Sequence, residues 1–112
     1  MSRNTAQVTI AATATLSSLA ATNGQRLAGI YIPSNWTGTT FELSAVPAGG
    51  SAGTGSTLAN NSGAISYTCA AGQYIAFDTN AVTAGIENVQ ILAGSTQSNA
   101  VTLTLVFVPF SA

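Results

Sequence analysis

The chain has 112 residues, only 4% of them charged, with a formal net charge of −1. That length makes one domain with a single core, and two arginines without a lysine cannot neutralise a nucleic-acid backbone. Histidine is absent and Cys69 stands alone, which excludes a His-based catalytic site and an internal disulfide.

Alternation of apolar and polar residues dominates the chain. In "QVTIAATATL" Val8, Ile10, Ala12, Ala14 and Leu16 share one face, so one strand is expected over 7–16. "MSRNTA" before it reads as an N-terminal arm, residues 1–6, ahead of a sandwich domain over 7–112. "SSLAATNG" is a connection in which Asn23-Gly24 signals a turn. "QRLAGIYIP" is a strand closed by Pro33, which has no amide to donate. After a turn holding Trp36, "TTFELSAV" places Phe41, Leu43 and Ala45 on one side and Glu42 with Ser44 on the other. Residues 47–57 form a Gly/Ser/Ala loop. "AISYTCA" and "QYIAFD" read as strands joined in a hairpin at Ala71-Gly72, and "TNAVTAG" as a connection. "IENVQILAG" is a strand with Ile86, Val89 and Ile91 as its apolar members, "STQSNA" a polar turn, and "VTLTLVFVPF" the last strand.

Many short strands with Gly- and Asn-rich turns and no amphipathic helix predict an all-β fold. The expected form is a single-domain antiparallel β-sandwich, a jelly roll of about eight strands. The last strand is apolar on one face through Val101, Leu103, Leu105 and Phe107, and on the other from Val106 through Val108 to Phe110. A strand apolar on both sides is covered on both sides. The second cover is either a loop of this chain or another molecule.

Catalytic chemistry has almost nothing to work with. Glu42, Asp78 and Glu87 are the only carboxylates, and nothing in their spacing brings two together as a glycosidase requires. Asp78, Thr79 and Asn80 offer oxygen ligands, but a turn bonding its own backbone explains them better than calcium. The glycines of "GGSAGTG" open no helix, so no phosphate loop is expected. The chain is therefore expected to be no enzyme and to hold no cofactor or metal. No stretch reaches the roughly 20 apolar residues of a membrane helix. The N-terminus has no signal-peptide pattern, so synthesis in a cytoplasm without general export is expected. Trp36, Tyr31, Tyr67 and Tyr74 are the candidates for a sugar-stacking platform, with packing in the sandwich as the competing role.

The order "LAGIYIPSNWTGTTFELSAVPAGG", then "GQYIAFDTNAVTAGIENVQILAGSTQSNAVTLTLVFVPF", resembles small structural proteins of tailed bacteriophages. The resemblance spans about residues 27–110 and rests on structural motifs: a strand ending in Pro, a Trp turn, a Gly-rich loop, and a final strand ending in Pro. It implies a capsid cement or decoration protein of jelly-roll type, on the exterior of the virion. Its partner would be the major capsid protein, which it would bind over capsomer junctions as a homo-oligomer, dimer or trimer. Arg3 in the arm and Val106, Val108 and Phe110 at the end of the last strand are the expected contacts. The competing expectation is a tail-fibre or baseplate sandwich that binds host carbohydrate through Trp36.

Overall fold

A computed structural model describes residues 4–77 and 86–109. Among these residues there are eleven strands and no helix. They are β1 Asn4–Ile10, β2 Ala20–Ala21, β3 Arg26–Tyr31, β4 Thr40–Val46, β5 Ser56–Thr57 and β6 Ala59–Asn60. After them come β7 Gly63–Ala64, β8 Ser66–Thr68, β9 Tyr74–Ala76, β10 Asn88–Ala93 and β11 Val101–Val108. The first sheet has the order β1-β11-β3-β9 and the second the order β2-β10-β4, with β5 and β8 both on the free edge of β4. Every pairing is antiparallel.

The two sheets form a sandwich in which successive strands alternate between layers. β1, β3, β9 and β11 lie in one sheet and β2, β4, β8 and β10 in the other, and only the passage from β4 to β8 stays within a sheet. That order is a jelly roll. The seven strands read from alternation correspond to β1, β3, β4, β8, β9, β10 and β11, β2 adds an eighth, and the remaining three come from the segment between β4 and β8. There β5 pairs with Ser44 and Ala45, β8 pairs with Thr40 to Glu42, and the small hairpin β6–β7 projects between them.

The core follows from the period of two. Val8, Ile10, Leu27, Ile30, Phe41, Leu43, Val89, Ile91, Leu103, Leu105 and Phe107 are fully buried between the sheets. Each such side chain contributes about 1.5–3 kcal/mol when taken from water. Phe41, Tyr67 and Phe77 form an aromatic group, with Phe41 stacked on Tyr67 at 5.2 Å and Phe77 edge-on to Tyr67 at 4.9 Å. Burial raises the Tyr67 pKa.

Several sequence expectations change. The strand expected over 7–16 stops at Ile10, because Ala12 and Thr13 form a turn, closed by Ala14 N donating to Ala11 O at 3.1 Å, and Thr13 takes a left-handed φ of 67°. Alternation alone cannot register such a break. Asn4–Ala6, assigned to an arm, are instead the first residues of β1, paired with Phe107, Val106 and Leu105. Ala20 and Ala21 form β2, a strand too short to leave a pattern. The turn at Asn23-Gly24 is present: both residues have positive φ, 53° and 74°, and Gln25 N donates to Thr22 O at 3.0 Å. A turn also sits at Ala71-Gly72, but β8 and β9 lie in different sheets, so it is a crossing and not a hairpin. The "TNAVTAG" connection lies outside the described residues, as does Asp78.

The Gly-rich loop after β4 folds back over the outer face of the second sheet. Gly53 N donates to Oε1 of the fully buried Gln90, whose Nε2 donates to Ser17 O on the opposite flank. Val46, on that outer face, is covered in the same way: a Cβ on Gly50 or Gly55 would come within 2.8 or 2.7 Å of its methyl groups. Glycine is needed here because backbone lies almost directly on side chain.

Candidate interaction surface

Pairing register places side chains in rows across the outer face of the β1-β11-β3-β9 sheet. One row runs Gln7, Thr104, Tyr31 and Tyr74. The next runs Thr5, Val106, Gly29 and Ala76. Thr9 and Thr102 stand opposite each other beyond the first row, their hydroxyls 3.5 Å apart. No residue of these rows is charged. Arg26, opposite Val108, borders the patch at one corner.

Tyr31 and Tyr74 are the exposed large hydrophobic side chains among the described residues, at 53% and 44%. Their ring centroids are 4.5 Å apart and the rings are tilted by 49°. Gly29 makes this arrangement possible. A Cβ there would lie 2.1 Å from Tyr74 Oη and 2.3 Å from Cζ, so the ring rests where a side chain would stand. A β-bulge at Ala28 precedes it, where the β3–β11 register shifts. The bulge keeps Leu27 and Ile30 facing inward on either side of Gly29. The result is an aromatic ridge in a field of hydroxyl, amide and methyl groups. It suits shallow, neutral contacts.

The expected contact residues fall in different places. Val106 is only 4% exposed and lies outside the inter-sheet core, covered on the outer face opposite Gly29. The second cover of the last strand is therefore supplied by this chain at that position. Val108 is half-buried at the end of β11. Arg3 and Phe110 lie outside the described residues.

Trp36 is 6% exposed and belongs to the core cluster, which leaves no ring face for a sugar. Its turn closes with Trp36 N donating to Pro33 O at 3.3 Å, and Gly72 N donates to Ile32 O at 3.1 Å from the neighbouring turn. The indole Nε1 has no hydrogen-bond partner. Cys69 is buried in the same cluster, and burial raises its pKa; the nearby indole N–H opposes that shift without completing a hydrogen bond. Beside this plug the fully buried Gln97 ties three loops together. Its Oε1 accepts from Thr37 N at 2.9 Å and its Nε2 donates to Thr37 O at 2.8 Å, a side chain imitating a ladder partner. Its backbone accepts from Thr13 N at 2.8 Å and donates to Ala14 O at 3.0 Å. "STQSNA" looked like an ordinary polar turn, and nothing in its composition marks Gln97 as buried.

Glu42 stands opposite Leu92, five positions beyond Glu87 along β10. At about 3.3 Å per residue the two lie roughly 16 Å apart, beyond the span of a glycosidase pair. Ala45, Val46, Pro47, Ile86 and Glu87 line a shallow hollow of about 330 Å³ whose walls are mostly apolar. Among the described residues no three His, Cys, Asp or Glu side chains gather as a metal site. No helix among them is long and apolar enough to cross a membrane. No protein-family model, curated protein or solved structure matches the chain.

Proposed function

We propose that the chain is a virion structural protein, a jelly-roll cement that sits over capsomer junctions of a phage head and stabilises it. The observation that carries this reading is the uncharged outer face of the β1-β11-β3-β9 sheet, with the Tyr31–Tyr74 ridge along its β9 side. A wide, shallow, neutral face suits attachment to a protein lattice better than capture of a small molecule. The fold is the one the resemblance implies, and the low charge allows close packing against neighbouring subunits. The mechanism is mass action: a protein that binds only the assembled shell stabilises it by its binding free energy. An oligomer touching two capsomers gains further through effective concentration.

The test is co-sedimentation of the protein with expanded, empty phage shells. The expected outcome is saturable binding that falls at least about tenfold in a Tyr31→Ala/Tyr74→Ala variant, as loss of aromatic anchors at an interface predicts. Absence of binding to shells would remove the reading.

The same ridge supports a second reading, a tail-fibre or baseplate adhesin for host carbohydrate. Exposed aromatic faces beside hydroxyl groups suit a neutral sugar ring, and the platform is then Tyr31 and Tyr74 in place of Trp36. Specific glycan-array signals lost on Tyr74→Ala, with no shell binding, would favour it.

A further inference from the structure

A sheet edge presents backbone N–H and C=O groups that seek partners, and proteins suppress such pairing by shortening, charging or bulging their edges. Most edges of this sandwich are short. β2 has two residues, β9 has three, and the free side of β4 is divided between β5 and β8. β1 is the exception, a seven-residue edge strand, NTAQVTI, with neither a charge nor a proline.

Ser18 reveals which backbone groups of β1 face outward. Thr9 N donates to Ser18 Oγ at 3.1 Å, and Ser18 N donates to Thr9 O at 3.1 Å. Both main-chain groups of Thr9 therefore point away from β11. Antiparallel ladders alternate bonded and non-bonded pairs, so Gln7 and Thr5 also turn their N–H and C=O away from β11. Their side chains are exposed, and no described segment is hydrogen-bonded along that stretch. The free edge thus offers four backbone groups in a row and is closed at Thr9.

We propose that this edge pairs with the same edge of a second copy, antiparallel, about a two-fold axis through Ala6. In that register Thr5 faces Gln7 of the partner subunit and Gln7 faces Thr5 of the partner subunit, and all four groups are satisfied. Sliding two residues towards Thr9 sets Thr5 against a position that Ser18 already occupies. Sliding the other way leaves Gln7 without a described partner. The contact is isologous, as a two-fold dimer requires. Ala6 meets its own copy at a non-hydrogen-bonded pair, where Cα atoms approach to about 4.5 Å, and its small side chain allows that approach. Neither strand brings a charge, so nothing repels the second copy. The two four-stranded sheets join into one continuous sheet.

This pairing stands apart from the cement reading, because it is measured on the protein alone, whereas that reading is tested on shells. Sedimentation equilibrium of the full chain is expected to show a monomer–dimer equilibrium. Ala6→Cys under mild oxidation is expected to give a disulfide-linked dimer, since about 4.5 Å falls within disulfide range. The wild type, whose only thiol is the buried Cys69, and Thr9→Cys, away from the axis, are expected to stay unlinked. Gln7→Pro removes an amide that β11 does not use, so the fold is expected to persist by circular dichroism. Dimerisation in that variant should weaken about tenfold or more through lost hydrogen bonds. A wild type that remains monomeric at several hundred micromolar overturns the proposal. A dimer that Ala6→Cys fails to lock also overturns it, whether or not Gln7→Pro folds.

Discussion

The outer faces of the two sheets are finished in opposite ways. Over the β2-β10-β4 sheet the chain lays its own Gly-rich loop, held by Gln90, with Ser17 on the other flank. Over the β1-β11-β3-β9 sheet the described residues place the tilted pair of Tyr31 and Tyr74 above Gly29, with Val106 covered opposite that glycine. Both arrangements depend on glycine, but for different ends. Gly50 and Gly55 let backbone settle on the sheet and close it, whereas Gly29 makes room for the half-exposed ring of Tyr74. The closed face stabilises the fold; the face carrying Tyr31 and Tyr74 is the one we propose for attachment.

Removing the buried amide should break that contrast most strongly. Gln90→Ala leaves Gly53 N–H and Ser17 C=O without partners and is expected to cost about 2–3 kcal/mol. Urea denaturation measures this, and a loss under ~0.5 kcal/mol would mean that the loop is not pinned. Gly55→Ala comes next. Its Cβ would lie 2.6 Å from Ala45 O and 2.7 Å from Ser44 Oγ, and backbone cannot yield there cheaply. A loss of about 1–2 kcal/mol is expected by the same measurement.

Gly29→Ala sharpens the comparison from the other side. Its Cβ collides with the far end of Tyr74, which can swing into solvent, so the cost should stay below ~1 kcal/mol. The tyrosine signal in near-ultraviolet circular dichroism should nonetheless change, because the ring pair is displaced. Equal penalties for Gly55→Ala and Gly29→Ala would erase the distinction between the faces.

The smallest effect concerns pH. Burial raises the Cys69 pKa, so the folded chain holds that proton more tightly than the unfolded one. Stability from this source is therefore full below the ordinary thiol value of 9.0 and declines as pH rises from there through the raised folded value. Thermal melts should show that alkaline decline, and Cys69→Ala should flatten it while adding a pH-independent packing loss.

Much of this was legible in the residues. Alternation in "TTFELSAV" and "VTLTLVFV" gave the inward faces of β4 and β11 correctly, because each inward position meets a continuous core. Asn23-Gly24 announced its turn through local chemistry. What escaped was set by distant partners. Gln90, on the outward face of an apolar strand, and Gln97, in a polar turn, read as solvent-facing residues, and only segments arriving from elsewhere in the chain bury them. The Tyr31–Tyr74 ridge depends on pairing β3 with β9, forty-three residues apart in sequence, and on the small size of Gly29. Trp36 was visible as a candidate, but whether it faced solvent or core depended on how its own turn is tied, through Gly72 N to Ile32 O, to the neighbouring one.

The position of β11 between β1 and β3 has a consequence for how the molecule comes into being. β1 is made before every other described strand, yet its neighbour in the sheet is the last of them, and almost every strand in between crosses to the other layer. Such long-range pairing carries a loop-closure cost before any contact rewards it, so folding is expected on the slow scale of all-β domains. On the ribosome β1 lacks its one neighbour in the sheet until β11 emerges, and it must stay soluble while it waits. Its threonine- and glutamine-rich solvent face, Thr5, Gln7 and Thr9, supplies that solubility without a single charge.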